Sequence, residues 1–379
     1  MTILQEAEKI SDELAAVRHD IHMHPETGNN EFRTAALIEN YLSALGIETK
    51  RLTDTALMGI LNGSKPGKTI AFRADMDALP VSESTGCSFA SQTEGVMHAC
   101  GHDVHTAALL GAAKLLSMHK KDLCGSVRFF FEPDEEDNGG AKRMIDAGCM
   151  EGVSAVYGAH VDPNLPLGSI GVYYGKFYAA SNIFNITVTG KSAHGAQPEK
   201  GIDALLAAAK MITGIKELPQ RFPEGEAVLS VGTFNSGTAR NIIADKAAFT
   251  GIIRTLGNDV RDGMLKSFRQ VINIVSAEIG TTTDIYINST HNGIVNTDRE
   301  TALVEKAVND LEGIETVRIK KPFMTSEDFG FFIDEAAGSF YHIGAGSPYP
   351  LHSCSFLPDD RAIAIAAAVH TAVALKELA

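Results

Sequence analysis

"VMHACGHDVHTAALLGAAKLL", Val96–Leu116, places His98, Cys100, His102, Asp103 and His105 side by side and then runs into an apolar stretch. The apolar stretch reads as a buried helix. The residues before it are nitrogen, sulfur and oxygen donors of the kind that bind metal ions. Cys100 and His102 are two apart, so in an extended approach both face one side. A helix beginning near Asp103 would aim its amide dipoles at Cys100 and favour the thiolate.

Working outward, apolar runs alternate with helical patterns. "TIAFRADMDAL", "SVRFFFEP" and "AVYGAHV" read as buried strands, with helices over about 7–24, 33–45, 103–116 and 140–147 between or before them. Such alternation predicts an α/β domain with a mostly parallel sheet and helices on both faces. From about residue 179 the texture changes to strand–helix–strand–strand–helix–strand. These elements are "FNITVTG", a helix over 202–215, "AVLSVGTF", "AAFTGIIRTL", a helix over 259–279 and "DIYIN". That order predicts an inserted α+β, ferredoxin-like domain. The α/β texture resumes near residue 291 with a helix over 299–311, "TVRIK", "SFYHIGAG" and a final helix over 359–378. The expected division is 1–178 and 291–379 for one domain and 179–290 for the insertion.

The chain has 379 residues and a net charge of −14, which argues against nucleic acid or an anionic membrane as partner. No apolar run reaches the ~18–20 residues of a membrane span. "MTILQEAEKISDELAAVRHD" reads as a charged amphipathic helix, not a leader peptide. The five cysteines are scattered and contain no CxxC pair. They fit a reducing cytoplasm better than a disulfide scaffold.

In open α/β sheets the reactive residues gather beyond the carboxyl ends of the strands. There stand Asp75 and Asp77, then Glu132, Asp134, Glu135 and Glu136, then His160 and Asp162, and finally His342 and His352. With Cys100 and His102 they make a donor set suited to a pair of cations. A lone histidine is usually a satisfied core or surface group, and an acidic run is usually a solvated loop. What singles out Cys100, His102, Glu136, His160 and His352 is their joint placement. Two adjacent glutamates allow a division of labour, Glu136 as ligand and Glu135 as general base. His19, His22 and His24 read as structural.

The successive blocks "HACGHDVHTAALLGAAKLL", "FEPDEEDNGGAKRMIDAG", "GAHVDPNLPLGSIG", "VTGKSAHGAQPEKGIDAL", "NIIADKAAFTGIIRTL" and "MTSEDFGFF" resemble those of the M20 metallopeptidases. The nearest subgroup is that of the N-acyl-amino-acid amidohydrolases, hippurate hydrolases and auxin-conjugate hydrolases. The resemblance implies a two-metal, exopeptidase-like catalytic domain interrupted by a lid domain. It implies Cys100 as a bridging ligand, His102, Glu136, His160 and His352 as the other metal ligands, and Glu135 as base. Asp75 stands where other branches carry a ligand histidine, and Asp77 would orient a ligand from behind. In the lid, Asn241 and Arg254 match positions that hold a substrate carboxylate, and His194 a position that stabilises the oxyanion. The implied cofactor is two divalent ions, Mn2+ first, with Zn2+, Co2+ or Ni2+ admitted. The implied substrate is a small N-acyl amino acid, and the implied partner is a second copy joined through the lid. The alternative is a dipeptidase or aminopeptidase of the same fold. "FEPDEED" is more acidic than the subgroup's "FQPAEEG", and Asn138 stands where glycine is common. The added charge is expected to disfavour anionic acyl groups or to select a substrate with a positive charge.

Overall fold

The computed structural model describes residues 1–379 apart from Asn138. The chain divides into two units. One comprises Met1–Gly175, Val295–Lys321 and Phe331–Ala379, and the other Lys176–Ile294 and Pro322–Gly330.

The first unit is built on an eight-stranded sheet. Its spatial order is Glu48–Arg51, Leu57–Asn62, Cys124–Glu132, Lys65–Asp75, Val153–Asp162, Ala337–Gly344, Ser169–Val172 and Glu315–Arg318. The four central strands run parallel, as the apolar runs predict, but the outer pairings bring in antiparallel strands, so the sheet is mixed. Register places Asp75 beside Glu132 and His160 beside His342. The central strands therefore release their polar ends along one edge.

Helix His102–Met118 is buried over nearly its whole length. A helix that is apolar on every side belongs inside a protein. It packs against helices Ser11–Met23 and Arg361–Glu377. The first helical stretch is not continuous as the sequence suggests. It breaks at Ile10 into Ile3–Lys9 and Ser11–Met23, where the Ser11 hydroxyl donates to the Glu8 carbonyl and so competes with the helical ladder.

The second unit has a four-stranded antiparallel sheet in the order Ala227–Ser236, Lys246–Thr255, Ala180–Thr189, Thr282–His291. Helices Ala204–Lys216 and Asn258–Ile279 cover it, and their apolar faces share one core with the strands. The element order and the strand order are those of a split βαβ sandwich. A separate two-stranded ribbon pairs Ala193–His194 with Ile242–Ile243. Among the described residues no helix is long and apolar enough to cross a membrane.

Candidate metal centre

Gly101 sets the local geometry of Cys100 and His102. Its φ is +89°, and a Cβ there would lie 2.4 Å from a Val161 methyl. Only glycine fits that turn. The two donors thus reach one cluster through a left-handed turn, not through the extended approach that their spacing suggests.

Donor atoms of Cys100, His102 and His160 lie within 4.8 Å of one another, and so do those of Cys100, Glu136 and His352. Cys100 is common to both groups. His102, Glu135 and Glu136 form a third such group. The five ligand candidates and the base candidate are therefore gathered at one edge of the first sheet. Cys100 Sγ is 3.3 Å from His160 Nε2, and His352 Nε2 is 3.2 Å from Glu136 Oε1.

The groups behind the donors fix their orientation. Asp77 Oδ1 pairs with His102 Nδ1 at 3.1 Å, and Asp77 Oδ2 accepts the Glu136 N–H at 3.2 Å. His160 Nδ1 pairs with the Val161 carbonyl at 2.8 Å. Both histidines are left presenting Nε2, as ligand histidines do when the other nitrogen is held.

His105 was not singled out by sequence. Its Nδ1 pairs with Asp75 at 2.6 Å, while its Nε2 accepts the Val161 N–H at 2.9 Å. It pins the backbone directly after His160. Asp75 is held in turn by Arg73, which also donates to Glu132. The spacing "GHDVH" on one helical turn and the charged "RAD" inside an apolar strand were the available signals.

The electrostatics suit cations. Burial alone would depress His102, but Asp75, Asp77 and Glu136 push it up to about 10. Burial and the carboxylates of Glu136, Glu135 and Asp75 drive the Cys100 thiol well above its ordinary range. The helix dipole expected to favour the thiolate is thus outweighed by burial and these three carboxylates. His102 Nε2 is buried without a hydrogen bond, with Asp75 and Glu136 at 3.7 and 4.0 Å. A buried imidazole nitrogen facing carboxylates and a thiol is the donor chemistry of a divalent-cation site, so the residues present fit the metal pair.

The acidic loop differs from expectation in one respect. Asp134 is fully buried and bonded to Arg143 and Asn29. Its charge is balanced inside the protein by Arg143. Asn138 lies outside the described residues.

Another group with metal-like spacing, His22, Glu83 and Cys87, is already neutralised. His22 bridges Asp103 at 2.8 Å and Glu83 at 3.3 Å, and Arg18 donates to the same Asp103 oxygen. Against burial, Asp103 and then Glu83 raise His22 to about 9. It is a buried imidazolium with a structural task, as its place in the sequence implied.

The remaining candidates belong to the second unit. His194 sits on the exposed ribbon and Asn241 directly before its second strand, where the Gly195 N–H donates to the Asn241 carbonyl at 2.8 Å. His194 Nδ1 accepts the Ala196 N–H at 3.1 Å, so the neutral ring carries its proton on Nε2. Arg254 is half-buried on strand Lys246–Thr255, with one bond to the Met324 carbonyl at 3.3 Å. Burial lowers its pKa, and among the described residues no carboxylate pairs with it.

Residues 71–376 match the family model described as Peptidase family M20/M25/M40. This chain belongs to that family. It is 37% identical to Thermostable carboxypeptidase 1 of Saccharolobus solfataricus over 97% of this chain and 96% of the relative. It is 34% identical to N-acetyl-L-cysteine deacetylase of Bacillus subtilis, over 93% of this chain and 85% of the relative. The crystal structure of the Bacillus subtilis YXEP protein, described as a dinuclear metal binding peptidase from the M20 family, superposes with a TM-score of 0.87. That match is at 32% identity and covers 98% of this chain and 99% of the other. This M20 chain is a metal-dependent hydrolase with donor clusters suited to a dinuclear site.

Proposed function

We propose that this M20 chain hydrolyses the amide bond of small N-acyl amino acids. The observation that carries the reading is the shared position of Cys100 between two donor groups, with Glu135 beside one member of each, His102 and Glu136. Cys100, His102, Glu136, His160 and His352 would hold two divalent ions. Three imidazoles, one thiol and one carboxylate admit Zn2+, Co2+ or Ni2+, and the resemblance to the N-acyl-amino-acid amidohydrolases places Mn2+ first. When bound, such a pair polarises the scissile carbonyl and acidifies the attacking water.

Glu135 takes the water's proton and later delivers it to the leaving amine. The Nε2–H of His194 donates to the developing oxyanion. Arg254 and Asn241 grip the carboxylate of the amino acid, for which a guanidinium without an internal carboxylate partner is well suited. The inserted domain, about 179–290, acts as a lid and joins two copies, while the flanking segments carry the chemistry.

The similarity to a carboxypeptidase favours a second reading, cleavage of a C-terminal residue from peptides. Both reactions need the same amide and the same free carboxylate, and they differ in the length of the acyl side. The test is amine release by the metal-stripped protein from N-acetyl amino acids, N-benzoyl amino acids, dipeptides and longer peptides, with and without Mn2+ or Zn2+. Metal-dependent release from the N-acetyl and N-benzoyl compounds is expected. Release confined to peptides would replace the proposal with the peptidase reading.

A further inference from the structure

Among the described residues, three that are not glycine have a left-handed backbone: Asn29 at φ 64°, Asp134 at φ 60° and His352 at φ 63°. Strained backbone of this kind persists only where its surroundings enforce it, and it concentrates at functional sites. Here the three converge on one carboxylate pair. Asp134 directly precedes Glu135 and Glu136, and His352 touches Glu136.

Asn29 and Asp134 hold each other although they are far apart in sequence. Asn29 Nδ2 donates to Asp134 Oδ2 at 2.7 Å, and Arg143 donates to the same oxygen at 2.8 Å. One oxygen of the buried Glu31 accepts the N–H groups of both Asn29 and Asp134, at 3.1 and 2.9 Å. Gly28 permits the approach, since a Cβ there would lie 2.2 Å from Asp134 Oδ1. The two left-handed turns are thus locked together by one carboxylate, one amide and one guanidinium.

We infer that this Asn29–Asp134–Arg143 clamp, closed by Glu31, is the positioning device that holds Glu135 and Glu136 toward the donor cluster. Asp134 is a positioning residue. It touches no reacting atom and acts through the two glutamates that follow it. The inference rests on the roles proposed above for those glutamates. Alanine at 134 loses the side-chain bonds and also resists the left-handed backbone. Glycine keeps the backbone and loses the bonds. Asparagine tolerates the backbone and keeps an acceptor for Asn29 and Arg143.

The experiment measures Mn2+ affinity by competition with a chromogenic chelator, alongside kcat and KM on an N-acetyl amino acid, for D134A, D134G, D134N, N29G and R143A. Expected are a ~10- to 100-fold loss of Mn2+ affinity in D134A, a smaller loss in D134G, and recovery of most of it in D134N. The kcat should fall with affinity even when Mn2+ saturates, and KM should stay within about twofold. N29G and R143A, which keep Asp134, should each show a few-fold loss and carry the test if D134A does not fold. Wild-type Mn2+ affinity and kcat in D134A, or a change in thermal stability alone across the series, would overturn the inference. E135Q run in parallel separates the two readings. If E135Q stays active the base assignment fails, while the affinity series still judges the clamp through Glu136.

Discussion

The donor cluster of the first unit and the His194–Asn241 ribbon of the second are built in opposite ways. His102, His160 and Glu135 are buried, and His102, Glu136 and His160 are held from behind, the first two by Asp77 and the third by the Val161 carbonyl. His194 and Asn241 are exposed and secured by little more than turn amides. A cluster oriented in advance can bind cations before substrate arrives. Ribbon residues with few internal bonds keep their side chains open to an outside partner, which the proposed function takes to be substrate. The first unit thus presents a chemical floor of internally bonded donors, and the second presents exposed side chains to which the proposed function assigns recognition.

The largest effect should come from the floor. E135Q should lower kcat by ~10²–10⁴ and leave bound metal unchanged by elemental analysis. Loss of metal in that variant would make Glu135 a ligand and erase the proposed division between the two glutamates. On the ribbon, H194A should lower kcat by ~10²–10³, as removal of an oxyanion donor does, with unchanged metal content. A variant that loses metal instead would break the contrast between the regions. R254M should act mainly on KM for carboxylate substrates and leave an N-acetyl amine without a carboxylate unaffected. Equal loss on both compounds would remove Arg254 from recognition.

The smallest effect concerns stability behind the floor. His22 is raised from its ordinary 6.5 to about 9 by Asp103 and Glu83, with burial opposing. A histidine whose folded pKa is raised contributes stability that is complete below about 6.5 and is lost as pH climbs through about 9. The advantage of wild type over H22Q in urea unfolding should therefore shrink by about 3 kcal/mol between pH 6 and 10. A constant difference would mean that folding leaves the His22 pKa at its ordinary value.

Much of this arrangement can be read from residues alone. The apolar strands ending in Asp75, Glu132, Asp162 and Gly344 announce a sheet edge, and strand-end placement picks out the ligand candidates that the structure gathers there. Three strands of the first sheet escape notice, Glu48–Arg51, Leu57–Asn62 and Ser169–Val172. "ETKR" and "SIGV" are too short to show a period, and "LMGILN" is an apolar run interrupted by glycine. The roles of Asp103 and Asp134 escape for another reason. Asp103 pairs with Arg18, 85 positions earlier, and Asp134 with Asn29, 105 positions earlier. No local pattern marks such contacts, nor does "PDEED" reveal that one of its acids is buried and bent into a left-handed turn. Cys100 shows the converse, since its place before a helix suggests a lowered thiol pKa while burial and the surrounding carboxylates push it up.

The central claim is that Cys100 joins two cation sites. It is tested most directly by counting Mn2+ per chain at saturation, in the wild type and in C100A. Two ions per wild-type chain are predicted, with both sites weakened together in C100A because the shared Sγ is lost from each donor group. A single ion in the wild type, or two ions retained at unchanged affinity in C100A, would contradict the account.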